Sequence, residues 1–362
     1  MINGSQQTPT IHELAMRLEQ DIRGRGLREG QRYMNTVEAG HTFGVSPATA
    51  HRAMKLLVER NMVVRRNRSG TFIGPGMRSA DRAGIHTVHF LTSPEKREYL
   101  AEHSGSMIRG FSRGIPKANV QFGFVPAGEG LEYVKNLLNS ASVHDKSIGF
   151  VCSSCPFDIH QLLADEGIPT VVSGTLPLGG PDLPSVALDD FTAGQLLAKY
   201  LVEQGHRRIG LLATTLDRPG DKRLFDGIGK SLSQARLLQN SLVFHIVSQN
   251  ASSVALATRH LLEDECRPTA IIARSERLAD MACTALKEMG LSVPDDIEVV
   301  FLDHATDEVQ RSPLPHVQTT MTREEAVVLM SEMLLRMARG ESLDQKRVVI
   351  PVELCNARTL QT

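Results

Sequence analysis

The sequence predicts an α/β protein: an N-terminal winged helix-turn-helix head, a short linker, and a two-lobed body of doubly wound parallel sheets. Three observations carry this reading. Residues 10–74 run helix, helix, turn, helix, strand, turn, strand. Gly74-Pro75-Gly76 and the MRSADRAG that follows interrupt all periodicity, as a linker does. From residue 86, apolar strands alternate with amphipathic helices for well over 200 residues, the rhythm of parallel sheets flanked by helices. The expected boundaries are 1–74, 75–84 and 85–362.

Within the head, Ile11, Leu14, Ala15, Leu18 and Ile22 recur at helical spacing, and Gly24 and Gly26 end that helix. A second, weaker helix is predicted over 36–43. Gly44-Val45-Ser46 forms the turn, with Ser46 as N-cap and Pro47 at the first helical position of a third helix running to about Arg60. Ala50, Met54, Leu57 and Val58 form its inward face. Met62-Val63-Val64 and Thr71-Phe72-Ile73 then pair across a turn from Asn67 to Gly70.

In the body, strands are predicted at 87–91, 120–125, 147–152, 170–173, 185–188, 208–213, 242–247, 269–273, 297–302 and finally 347–352. Helices are predicted near 104–114, 130–141, 157–166, 191–204, 222–237, 251–264, 277–289 and 322–339. Two lobes follow from the length of the alternation, with ligands expected at strand carboxyl ends in the cleft between them.

Charge separates the parts. The 362-residue chain has a net charge of −1, yet residues 1–84 hold 13 Lys+Arg against 7 Asp+Glu, and the remainder 27 against 34. A basic head on an acidic body suits nucleic acid at one end only. Five scattered cysteines fit a reducing cytoplasm, and Cys152-Ser-Ser-Cys155 reads as plain thiols after a strand. The polar start MINGSQQTPT has no signal core, and no apolar run is long enough to span a membrane. No catalytic constellation, phosphate loop or metal-ligand spacing stands out, so neither an enzyme nor a cofactor is expected.

The head's chemistry sits at the start of its third helix and on the wing. Ser46, Thr49, His51 and Arg52 offer hydroxyls, an imidazole and a guanidinium to a major groove, and Ala48 a methyl for thymine. Arg65, Arg66 and Arg68 are placed to reach phosphates or the minor groove, with Gly70 allowing close backbone approach. Asn35 and Thr36, opening the second helix, complete the candidate DNA-binding set.

Residues 10–74 resemble the winged helix-turn-helix of GntR-type bacterial regulators, through FGVSPATAHRAMKLLVERNMVVRRNRSGTFIG. Two positions depart from that pattern: Val37 stands where the family usually has Arg, and Arg68 where it has Gly. The body resembles the LacI/GalR-type, periplasmic-binding-protein-like sensor. The similarity runs through residues 184–212, 223–232, 268–304 and 348–358, including PSVALDDFTAGQLLAKYLVEQGHRRIGLL and RLFDGIGKSL.

The resemblance implies a dimeric transcription factor, a repressor, that answers a sugar or related metabolite. Asp303 matches an effector-contacting acidic residue of that family. Ser275-Glu276 stand for its Asn-Asp pair, with Arg274 as an extra residue, and Arg223 lies one position from its effector arginine. Asp189, Asp190, Ser93 and Ser154 lie at strand ends and complete the candidate effector set. Asp189 and Ser275 have an alternative reading as helix caps. With no Trp and few aromatics, a sugar is not announced, and Arg274, Arg277 and Arg223 would suit a phosphate or carboxylate. The alternatives to a metabolite-controlled regulator are a cytoplasmic metabolite-binding protein and a regulator that has lost its effector response.

Overall fold

A computed structural model gives the fold and describes residues 9–27, 29–66, 70–74, 85–140, 148–237, 241–263, 267–303 and 312–355. Arg68 and the linker 75–84 lie outside the described residues. The chain packs as two compact units, one built on the head and a larger one holding both sheets of the body.

In the head, helices α1 (Ile11–Gly24), α2 (Thr36–Phe43) and α3 (Pro47–Glu59) pack against strands β1 (Arg32–Tyr33), β2 (Val63–Arg66) and β3 (Gly70–Ile73). The strands form one antiparallel sheet in the order β1-β3-β2. β1 is too short to leave a periodic signal and was not predicted. Leu14, Leu18 and Ile22 of α1 meet Ala50, Met54 and Leu57 of α3 in a fully buried core. Gly44 ends α2 at φ +65°, a conformation glycine adopts without strain, and its N–H donates to the Gly40 carbonyl.

The first lobe's sheet contains β4 (Thr87–Thr92), β5 (Asn119–Phe124), β6 (Ile148–Ser153), β7 (Thr170–Ser173), β8 (Ser185–Leu188) and β14 (Arg347–Ile350). Its order is β14-β8-β7-β6-β4-β5, parallel throughout. Helices α4 (Arg97–Gly114), α5 (Gly130–Ser140) and α6 (Phe157–Asp165) intervene in sequence. The second lobe holds β9 (Ile209–Ala213), β10 (Leu242–Ile246), β11 (Ala270–Ala273), β12 (Glu298–Leu302), β13 (His316–Thr319) and β15 (Val352–Cys355). Their order is β10-β9-β11-β12-β13-β15, parallel except for the last pair. Helices α7 (Asp190–Glu203), α8 (Pro219–Gln234), α9 (Ala251–Glu263), α10 (Glu276–Glu288) and α11 (Arg323–Ala338) complete the order.

Two expectations need correction. β13 was not predicted; its four residues alternate poorly and follow Pro-rich sequence. The single final strand is in fact two, split at Pro351. Proline has no N–H to continue a ladder, so β14 ends in the first lobe and β15 begins in the second. The chain passes between lobes at three adjacent places, and these crossings bond to one another. Asp189 N donates to Ile350 O at 3.0 Å, and Thr320 N donates to Pro351 O at 3.0 Å. Among the described residues, no helix is long and apolar enough to cross a membrane.

α7 and α8 approach through glycine. A Cβ on Gly227 would stand 2.1 Å from Phe191 O, and one on Gly194 2.2 Å from Leu224 O. Backbone touches backbone here, which fixes where both helices begin. Their N-terminal ends carry Asp190 and Asp221 to the end of the sheet.

Candidate nucleic-acid interface and ligand cleft

The start of α3 is fastened from within. Ser46 Oγ accepts from Thr49 N at 3.1 Å and shares a 2.8 Å bond with Thr49 Oγ1. Asn35 is the N-cap of α2 in a reciprocal capping box: Oδ1 accepts from Val37 N and Glu38 N, and Glu38 Oε2 accepts from Asn35 N. Arg65 ties both helices to the wing, donating to Thr36 Oγ1 at 3.1 Å and lying 3.4 Å from His51 Nδ1. These bonds orient a surface on which Ala48, His51, Arg52, Arg65 and Arg66 are exposed. Arg66 lies 4.9 Å over the Phe72 ring, and Gly70 takes φ +107° at the wing. Val37 is 57% exposed on α2, so an apolar side chain faces solvent beside the Arg65–Thr36 bond.

Between the strand carboxyl ends of the two lobes lies a cleft of about 1070 Å³. Ser154, Asp190, Arg223, Ser275, Glu276 and Asp303 line it, whereas Ser93 and Asp189 are not among the lining residues. Asp189 caps α7, accepting from Thr192 N at 3.2 Å and from Thr192 Oγ1 at 2.7 Å. Ser275 lines the cleft and also caps α10, accepting from Leu278 N at 3.4 Å. Ser154 carries φ +55°, unusual for a residue with a side chain, at the cleft end of β6. Burial and then the neighbouring Asp303 carboxylate push the Glu276 carboxyl above its ordinary range.

The three arginines expected to meet an anion are already engaged by carboxylates. Arg274 is nearly enclosed between Asp190 and Asp221, at 2.9 and 2.5 Å. Burial raises the Asp190 carboxyl, and the Arg274 guanidinium opposes that rise. Arg277 on α10 spans the cleft to Glu98 and Glu102 on α4, reaching Glu102 at 3.0 Å. Arg223 stands 3.8 Å from Asp189. Charge alone marked these residues in the sequence; their partners are brought in by the fold.

Among the cleft residues that sequence reasoning missed are Lys96, Tyr99, His160 and Arg218. Lys96 Nζ lies 5.3 Å from the centre of the Tyr99 ring, and Arg323 donates to Tyr99 Oη at 3.1 Å. His160 is 5% exposed, and neither ring nitrogen has a hydrogen-bond partner among the described residues. Burial lowers its pKa, favouring a neutral imidazole with one donor and one acceptor. The only signal available in the sequence was position, since Lys96 and Arg218 each follow a strand whose end faces the cleft. Among the described residues, no cluster of His, Cys, Asp and Glu is arranged to hold a metal.

The chain matches known proteins in sequence and in fold. Residues 10–73 match the gntR family of bacterial regulatory proteins, and residues 198–359 match the periplasmic binding protein-like domain. The HTH-type transcriptional regulator CelR of Thermobifida fusca is 24% identical over 86% of this chain and 89% of its own length. The HTH-type transcriptional repressor PurR of Mannheimia succiniciproducens is 31% identical, over 42% of this chain and 46% of its own length. A solved CelR–cellobiose complex superposes with a TM-score of 0.63 at 22% identity, covering 86% of this chain and 90% of that one. The chain is a DNA-binding transcriptional regulator. It joins a GntR-type winged helix-turn-helix to a two-lobed, periplasmic-binding-protein-like body.

Proposed function

We propose that this regulator is a cytoplasmic repressor that binds a roughly palindromic operator as a homodimer. Its operator affinity is set by a sugar or related metabolite held between the lobes. Residues 1–74 read DNA, 75–84 link, and 85–362 bind effector and dimerise. The observation that carries this reading is the pairing, in one chain, of an exposed basic face on α3 and the wing with a cleft whose lobes are bridged by Arg277, Glu98 and Glu102. A ligand that favours one lobe arrangement shifts the population between two states, and the linked heads respond. The metabolite class is supported by the cellobiose bound to the CelR relative and by Phe157. That side chain lines the cleft and is 48% exposed, an aromatic face for a sugar ring.

The test begins with the full chain selecting its operator from random duplex DNA. Anisotropy titrations then follow across a salt series. Arg52→Ala is expected to weaken specific binding by about 1–3 kcal/mol and relax base preference at one position. Arg66→Ala weakens all sequences alike and reduces the salt slope by about one. Unchanged binding by both variants would remove these residues from the interface.

A further inference from the structure

With Arg223, Arg274 and Arg277 set aside as paired to carboxylates, Lys96, Arg218, Lys222 and Arg323 are the other cationic side chains lining the cleft. Arg323 is held by Tyr99, and Lys96 and Arg218 come from opposite lobes. Lys96 closes the 3-10 turn Pro94–Lys96 that follows β4, and Arg218 immediately precedes α8, after β9. Both line the cleft. Among the described residues, neither makes an ion pair with a carboxylate, and Lys96 rests instead on the Tyr99 face. Burial first, then repulsion by Arg218 and Arg274, draws the Lys96 ammonium down to about 8, against the attraction of Asp221 and Glu95. Two cations brought together across a cleft disfavour the arrangement that contains them unless an anion lies between.

We propose that Lys96 and Arg218 clamp an anionic group of the effector, a phosphate or a carboxylate, so that the ligand's charge holds the lobes together. This rests on the cleft being the effector site, as proposed above. Guanidinium and ammonium together supply both the forked and the point-like donors that such oxygens accept. The rest of the cleft specifies what carries the charge. His160 offers a buried donor and acceptor without partners among the described residues, and Ser154 a hydroxyl on strained backbone. These groups fit hydroxyls, so the ligand class is a polyhydroxylated anion: a sugar phosphate or a sugar acid.

The deciding measurement uses the anionic group alone, since the whole effector is unidentified. Melting curves of the full chain are recorded with inorganic phosphate or acetate, at ionic strength held constant with chloride. A saturable rise of about 2–4 °C at ten times Kd is expected with one of the two anions. Phosphate identifies a phosphorylated ligand and acetate a carboxylated one. Lys96→Met and Arg218→Met each lose roughly tenfold in affinity for that anion, as removal of a charge-assisted bond does. Lys96→Met without ligand melts above wild type, because the repulsion is gone.

Absence of a rise with either anion, or equal rises in wild type and both variants, would overturn the clamp. The effector-site reading fails differently: an anion that binds through Lys96 and Arg218 yet leaves operator affinity unchanged counts against the cleft as a control site while the clamp stands.

Discussion

Arg274 enters the cleft between two buried carboxylates, and its removal would strand both. Arg274→Met is expected to lower stability by about 3–5 kcal/mol, read from denaturant unfolding. The deficit should shrink on acidification. Asp190 has a raised pKa in the folded protein, so as pH falls the native state takes up its proton before the unfolded chain does. Protonation then favours folding over the window between the two pKa values. A deficit independent of pH would mean that lost packing, not stranded charge, is the cause. The sequence displayed Arg274 as an extra charge after β11, but its partners lie 53 and 84 residues away. The place of Asp303 in the cleft was legible because strand ends face the cleft in doubly wound sheets. Lys96 and Arg218 were not, because surface cations after strands are common and only the fold brings both to one cleft.

Elements were legible where periodicity was strong. α2 was predicted at its observed limits, and β7 and β8 residue for residue, since a short apolar run between turn signals has one reading. Helix α4 begins at Arg97, seven residues before the predicted start. Its first turns, Arg97 to His103, bury only Leu100, so no apolar stripe announced them. The break at Pro351 was visible as a proline, but its consequence, a change of sheet, depends on the partner strands. Gly227→Ala forces a methyl against the Phe191 carbonyl and is expected to destabilise by about 1–3 kcal/mol through overpacking. Gly229→Ala on the same helix meets nothing within 4 Å and serves as control. Equal melting temperatures for the two variants would show that α7 and α8 separate freely.

Across the whole molecule, reading and sensing are expected to be separable. Asp303→Ala is expected to leave operator binding unchanged while weakening effector affinity by about ten- to a hundredfold, the loss of one charge-assisted bond. Calorimetric titration beside a melting curve distinguishes this from a folding role, since full-strength effector binding by a destabilised variant would remove Asp303 from the site. The basic head and acidic body point to this division in the sequence; the arrangement of the lobes does not show there, because it is a property of packed surfaces. The central claim is that the arrangement of the lobes sets operator affinity. Arg277→Glu tests it most directly and without any ligand, by facing three carboxylates across the cleft where Arg277 now binds Glu98 and Glu102. Operator affinity of the folded variant should change by roughly 5- to 150-fold, the usual range of allosteric coupling. The charge-swapped protein, Arg277→Glu with Glu98→Arg and Glu102→Arg, should return it toward wild type. Identical operator affinity in wild type, single variant and swap would contradict the account.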